Sequence, residues 1–363
     1  MSINLSLLDS MNNVFNKFSF KMEVILMKKI FIVSLLILIF ITINPAFAGG
    51  KQNLGQAGMT FLSISGSARA AGMADILDFA KNDLGSAFYN PAGLGSVQGG
   101  AFYVNYTQWI ADMNVAHMAV SWNFENIGVF ALHAQIMNYG DFNGTAIAQN
   151  TQGYTSVDVG TVSAMALGLG YGVQMTEQFS IGGNVKLISQ QLGQNDTYIG
   201  GDIETAGKKN DIGSFAFDFG TRYDTDIRSI VLSMSIRNYS SQQLYENEEY
   251  TIPQTFKIGL AADLMELFSK PNQDHKVLLA VEGVDARDRT QYVNAGLEYT
   301  LLKMFVLRAG FASNRSQDDM SPLSVGAGFI LDSSSFLGKV DFSYSSFDSA
   351  LGNVLRFSIS GSF

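Results

Sequence analysis

The chain has 363 residues and no cysteine. That excludes a disulfide framework and any thiolate metal site, and it leaves the compartment open. Basic residues are also scarce, 23 against 32 acidic. Nothing in that balance could neutralise phosphates, so nucleic acid is excluded as a partner. Beyond the first fifty residues no stretch is apolar enough to cross a membrane as a helix. What is present fits two classes. A hydrophobic fraction of 47% with 12% aromatics suits a soluble enzyme and an outer-membrane barrel alike, so pattern has to decide.

One apolar run stands near the start. Met27-Lys28-Lys29 precedes a fourteen-residue apolar region, Ile30 to Ile43, and then Asn44-Pro45-Ala46-Phe47-Ala48. A basic start, a short greasy centre and an A-x-A exit read as a secretory signal cleaved after Ala48. The alternative, an uncleaved anchor, needs about 20 residues. Because 1–26 precede a complete signal, Met27 is a second candidate start. Residues 1–48 hold four basic and two acidic side chains, which leaves 19 and 30 in the mature chain.

The final segment, Asn353 to Phe363, alternates. Leu355, Phe357, Ile359 and Phe363 share one parity; Arg356, Ser358, Ser360 and Ser362 share the other. A side-chain period of two puts them on opposite sheet faces. One face suits lipid and the other water, which is the pattern of a membrane strand.

From about Ala101 onward the chain breaks into such segments of roughly ten residues, the length a tilted membrane strand needs. Alternation is clear at 115–124, 128–136, 179–190, 215–223, 230–237, 255–263, 291–300, 305–312 and 338–346. Weaker strands fill 101–109, 162–173, 276–284 and 323–332. With the last one the count is about 14. Connections alternate between long (138–160, 190–211, 239–252, 313–322) and short (125–127, 174–178, 224–229, 301–304). Two depart from this: 264–275 is long on the short side, and 285–290 is short on the long side. A β-sandwich has no reason to alternate so. The expectation is a transmembrane antiparallel β-barrel over 101–363.

Residues 49–100 do not alternate. Met73, Ile76, Leu77 and Ala80 have helical spacing and predict a short amphipathic helix near 68–81. Asn90 can cap a turn that starts at Pro91. A 14-strand barrel is too wide for its own side chains to fill, so this segment is expected as a plug in the lumen. The other reading is a periplasmic extension.

Several stretches carry a family resemblance: F-L-S-I-S-G-S-A-R-A-A-G-M-A (61–74), F-Y-N-P-A-G-L (88–94), Trp109, Y-T-I-P-Q-T-F-K-I-G (250–259), L-L-A-V-E-G (278–283), V-N-A-G-L-E-Y (293–299), L-R-A-G-F (307–311) and R-F-S-I-S-G-S-F. In this order they resemble the PorV/PorQ family of outer-membrane proteins. The N-P-A-G-L element also looks like FadL-type barrels, which transport long-chain fatty acids. The resemblance implies a 14-strand barrel with an N-terminal lumen segment. It marks Arg69, Gly72, Met73, Asn90, Pro91, Ala92, Gly93 and Leu94 as motif residues of the plug. It also marks Phe363 as the signal read by the barrel-assembly machinery. Some PorV-type members serve type IX secretion, handing cargo to the surface-attachment machinery. One departure stands out: Met73-Ala74-Asp75 occupies the place of a more glycine-rich run.

Catalytic and cofactor chemistry is not legible. His117 and His133 fall on adjacent strands with lumen parity, where polar lining explains them better than metal, since no third ligand has suitable spacing. A Ser-His lipase would need a lipid-facing nucleophile. Gly168-Leu169-Gly170-Tyr171-Gly172 lies inside a strand pattern with no following helix, so a tight or bulged strand is expected and no nucleotide loop. Ala206-Gly207-Lys208-Lys209 lacks the flanking residues of a phosphate loop. The acids Asp196, Asp202, Glu204, Asp318 and Asp319 read as solvated loop charge in preference to a Ca²⁺ site. Three functions remain, none of them enzymatic: a secretion accessory that meets secretion components and cargo, a transporter of hydrophobic small molecules, or a purely structural barrel in outer-membrane lipid.

Overall fold

The computed structural model describes residues 57–363, apart from 141, 159–161, 195–196, 200–201, 206–208, 226, 228, 246, 269–273, 314–319 and 348–350. The signal region, Asp196, Asp318 and Asp319 lie outside the described residues. So does most of Ala206-Gly207-Lys208-Lys209; its last residue opens a strand.

The strands run β1 Gly100–Gln108, β2 Asn114–Phe124, β3 Gly128–Asn138, β4 Asn143–Ile147, β5 Tyr154–Asp158, β6 Val162–Gln174 and β7 Phe179–Gln194. Then come β8 Thr197–Ile199, β9 Asp202–Thr205, β10 Lys209–Asp224, β11 Val231–Tyr239, β12 Gln243–Tyr245, β13 Glu248–Tyr250 and β14 Thr255–Asp263. The chain finishes with β15 His275–Ala286, β16 Tyr292–Leu301, β17 Phe305–Ala312, β18 Met320–Ser333, β19 Phe336–Phe347 and β20 Asn353–Ser362. Fourteen of them close one antiparallel barrel in the order β1-β2-β3-β6-β7-β10-β11-β14-β15-β16-β17-β18-β19-β20. The ring shuts where β1 pairs with β20, Ala101 opposite Ser362. Closure satisfies every edge, as a sheet in lipid requires. The other six strands make three hairpins, β4–β5, β8–β9 and β12–β13, all on the long-loop end. We call that the outer end.

Burial is inverted relative to a soluble protein. Val120, Trp122, Leu132, Leu187, Phe215, Phe219 and Leu307 are exposed, whereas Lys257, Glu282, Arg308, Asp341 and Arg356 are buried. Large apolar side chains on the outside and paired charges on the inside are what hydrocarbon around the barrel demands. A rim of rings closes the inner end. Trp122 meets Phe363 at 6.4 Å, Phe130 meets Tyr171 at 5.0 Å and Phe305 meets Phe329 at 5.6 Å. Phe363 also extends the ladder by exchanging backbone hydrogen bonds with Gly100 at 2.9 and 3.0 Å.

Two expectations on the strands need correction. β7 and β10 are longer than 179–190 and 215–223. They run past the membrane-length segment and pair out to Gln194 and Lys209. Polar residues such as Gln190 and Gln191 end the lipid pattern but keep the ladder. The glycines of β6 sit in a regular register with β3 and β7, with no bulge. The nearby side chains and plug backbone explain them, as described below.

Residues 57–99 fill the lumen. The helix expected over 68–81 shrinks to a single turn, Ala68–Ala71, capped by the Ser67 hydroxyl accepting from the Ala70 N–H. Beyond Gly72 the backbone turns left-handed at Ala74 (φ 57°) and Asp75 (φ 68°), which ends it. Met73, Ile76, Leu77 and Ala80 are buried all the same. The plug is walled on every side, so no one-sided helical stripe is needed. Asn90 does cap, with Pro91 at the first position of a 3-10 helix, Pro91–Ser96, and its carboxamide oxygen accepting from the Ala92 N–H at 3.1 Å.

Candidate functional site

The plug enters at the outer end. Ala57 bridges to Thr251, and the Gly58 N–H donates to the Thr251 carbonyl at 2.9 Å. It then descends to β1 at the inner end. Two parts of it grip the wall on nearly opposite sides of the ring. Asn90–Leu94 lies against β6, β7 and β10; on the far side the Ala68–Ala71 turn lies against β18, β19 and β20, and Gly72–Ala74 against β16, β17 and β18.

At the first grip the plug backbone approaches the wall closely. A Cβ on Gly172 would stand 2.7 Å from the Pro91 carbonyl oxygen, and one on Gly182 would collide with the same carbonyl. Only glycine leaves that room. Asn90 uses its whole side chain here. Its Nδ2 donates to the carbonyls of Asp78 and Thr221, both at 3.0 Å, while its oxygen caps the helix. Leu94 is fully buried beside Ala131 and Val129. Gly93 packs on Ser86.

At the second grip Arg69 reaches β16. Its Nε and Nη2 donate to the two Glu298 oxygens at 2.9 and 2.8 Å, and Nη1 donates to Asp83 at 2.8 Å. Glu298 also accepts from Arg308 Nε at 2.7 Å, and Arg308 Nη1 donates to Asp341 at 2.7 Å. The chain Asp83–Arg69–Glu298–Arg308–Asp341 alternates in sign, which is how buried charge is tolerated. A second cluster holds the middle of the plug. Lys257 Nζ lies 2.8 Å from Glu282 and 3.6 Å from Asp78, and it donates to the Asp75 carbonyl at 2.8 Å. Tyr89 donates to Asp75 Oδ1 at 2.8 Å. On the other side Lys186 pairs with Asp218 at 2.7 Å, steadied by Asn184 and by Asn238 in a bulge of β11.

His117 and His133 are buried, and both rings meet the edge of Phe88, at 5.0 and 5.2 Å. Among the described residues no group of three or more His, Asp or Glu is placed to hold a metal ion. A Cβ on Gly168 would collide with His133, so the β6 glycines admit both the histidine and the plug.

Two cavities flank the second grip. The outer one, a vestibule of about 350 Å³, is bounded by Phe61, Ile64, Trp109, Met113, Met137 and Phe347, with Ala74 and Asp75 among its lining. Arg356 sits in its wall, 5.6 Å from the centre of the Trp109 ring and donating to Ser345. The inner one, about 400 Å³, is lined by charge: Arg69, Lys81, Lys276, Glu298, Arg308 and Lys339 among others. Sequence reasoning left the vestibule out. Its signal was faint, namely Met137, an apolar residue at the outer end of the lumen parity of β3.

No protein-family model matches the chain, and no curated protein matches it in sequence. Solved structures do. The CymD monoaromatic hydrocarbon channel superposes with a TM-score of 0.51 at 13% identity, covering 81% of this chain and 96% of that one. The Pseudomonas putida toluene transporter TodX gives 0.51 at 14% identity, covering 86% and 98%. A Pseudomonas aeruginosa FadL homologue also matches, with a TM-score of 0.46 at 12% identity over 80% and 96%. At these identities the shared feature is the fold.

Proposed function

We propose that this chain is an outer-membrane channel that admits hydrophobic small molecules. The carrying observation is the vestibule: a pocket at the outer end of the barrel walled by Phe61, Ile64, Trp109, Met113, Met137 and Phe347, with Asp75, Arg289 and Arg356 as its charged groups. Ligand sites are concave and mostly apolar, with a few placed polar groups, and this volume lies within their usual range of about 300–1,000 Å³. The hydrocarbon channels that share the fold support the same reading. The PorV/PorQ resemblance and the secretion role it implies rest on sequence motifs alone, so hydrophobic transport is the better supported of the two.

Trp109 supplies the test. The chain has two tryptophans, and Trp122 faces lipid. In a Trp122→Phe background Trp109 becomes the only tryptophan, and its emission can be excited apart from that of the tyrosines. Titration with bromobenzene in detergent should quench it saturably, and Met137→Arg should abolish the saturable part. Linear, unsaturable quenching by bromobenzene and by brominated alkanes would remove the reading.

A further inference from the structure

The floor of the vestibule is plug backbone laid on glycine. A Cβ on Gly296 of β16 would stand 2.9 Å from Met73 Cβ, and one on Gly310 of β17 would strike the Ala74 nitrogen. Gly296 and Gly310 face each other across the ladder. One lumen-facing step further out, about 7 Å along the strands, Asn294 and Ala312 form the next such pair. Both line the vestibule, as do Ala74 and Asp75.

Asn294 is 2% exposed, and its carboxamide oxygen is buried with no hydrogen-bond partner. Its neighbours across the ladders do not supply one. Ala312 has no polar side chain, and Glu282 turns to Lys257 at 2.8 Å. A buried acceptor left unpaired costs about 1–3 kcal/mol, whereas an apolar side chain of the same shape would carry no such cost. The walls above it are rings: Phe61, Trp109 and Phe347, the last two meeting edge to face at 5.5 Å.

We propose that Asn294 selects for a hydroxyl group, so that the vestibule takes small hydroxylated arenes of the phenol class in preference to plain hydrocarbons. This rests on the transport reading and narrows it. A hydroxyl both donates and accepts, so it serves the carboxamide whichever way its oxygen and nitrogen are turned. A hydrocarbon leaves the oxygen orphaned, and so does an ether, which only accepts. A carboxylate fits less well. Asp75 lines the same floor and repels it, while the arginines of the wall are already engaged: Arg289 with Asp288 at 3.3 Å, and Arg356 with Ser345 at 3.0 Å and with the face of Trp109. The volume of about 350 Å³ stands near the lower end of the range of ligand pockets, which favours a compact ring over a long chain.

The test uses the Trp122→Phe barrel in detergent at pH 7, with folding verified by heat-modifiable gel mobility. Four brominated quenchers of like size are titrated against Trp109: bromobenzene, 4-bromoanisole, 4-bromophenol and 4-bromobenzoate. Partition into detergent or into an apolar pocket favours bromobenzene over the phenol, so the reverse order reports the hydrogen bond. 4-Bromophenol should half-saturate the quenching at a concentration about tenfold below the other three. In Asn294→Leu that advantage should vanish. Equal half-saturation by 4-bromophenol and bromobenzene overturns the assignment. So does tightest binding by 4-bromobenzoate, or a phenol preference that survives in Asn294→Leu. In each of these cases the saturable quenching still upholds the transport reading. The order of the quenchers on the Trp122→Phe barrel tests the proposal even where Asn294→Leu fails to fold. If none of the four saturates, the transport reading falls and takes this inference with it.

Discussion

Arg69 of the plug and Glu298 of β16 are joined by two parallel hydrogen bonds, at 2.9 and 2.8 Å, in the forked geometry that guanidinium and carboxylate share. The pair is the polar fastening between plug and wall on that side of the lumen.

Arg69→Met should therefore loosen the plug more than the barrel. Removing one member of a buried pair typically costs about 3–5 kcal/mol. Because Arg308 still holds Glu298, the loss should fall near the lower end, about 3 kcal/mol. Plug cleavage by added chymotrypsin, whose sites at Phe61, Phe79, Phe88 and Tyr89 the substitution leaves intact, should accelerate while the heat-modifiable gel shift of the barrel persists. A barrel that melts together with the plug would contradict this division.

Gly310→Val should fail for a different reason. The added carbons meet backbone, the Met73 carbonyl carbon and the Ala74 nitrogen, so no rotamer relieves them. Overpacking of this kind costs about 1–3 kcal/mol, and rigid backbone puts it at the upper end. Gly283→Val on β15, which would meet Ile258 at ordinary distance, is the matched control and should be near neutral. Hydrogen exchange of residues 66–80 should separate the two variants.

Acid should release the same region. Burial opposes charge on Asp83, but Lys339 and Arg69 outweigh it and hold the carboxyl below its ordinary value. A depressed folded pKa means the stabilisation is complete above the unfolded value of about 3.9 and is lost as pH falls through the folded one. Plug cleavage by pepsin should then rise below about pH 4, and Asp83→Asn should weaken that dependence. A profile flat down to pH 2 in the parent would refute it.

Phe363 should matter for assembly more than for stability. Its ring is 65% exposed, so Phe363→Ala removes little burial, and the melting of folded barrel should shift by less than about 1 kcal/mol. If the barrel-assembly machinery reads this residue, as we propose, the amount of folded protein in membranes should drop severalfold. Equal yields from both proteins would discard the role.

Much of this was written in the chain. Alternation at 305–312 or 353–362 dictates which side chains meet lipid and which meet the lumen, because a strand's period of two admits no other partition. Asn90-Pro91 announced its helix start locally, through a side-chain cap and a ring that needs no N–H. These properties belong to neighbouring residues, so sequence alone determined them. The 68–81 segment did not obey its helical spacing, since a wall on every side buries Met73 and Leu77 whatever their periodicity. Arg69 meeting Glu298, glycines of β16 and β17 lying under Ala74, and Phe61 gathering with Trp109 and Phe347 join residues that are distant in sequence. Only closure of the barrel around the plug decides such contacts, because register and ring order, rather than any local preference, set what faces what across a lumen.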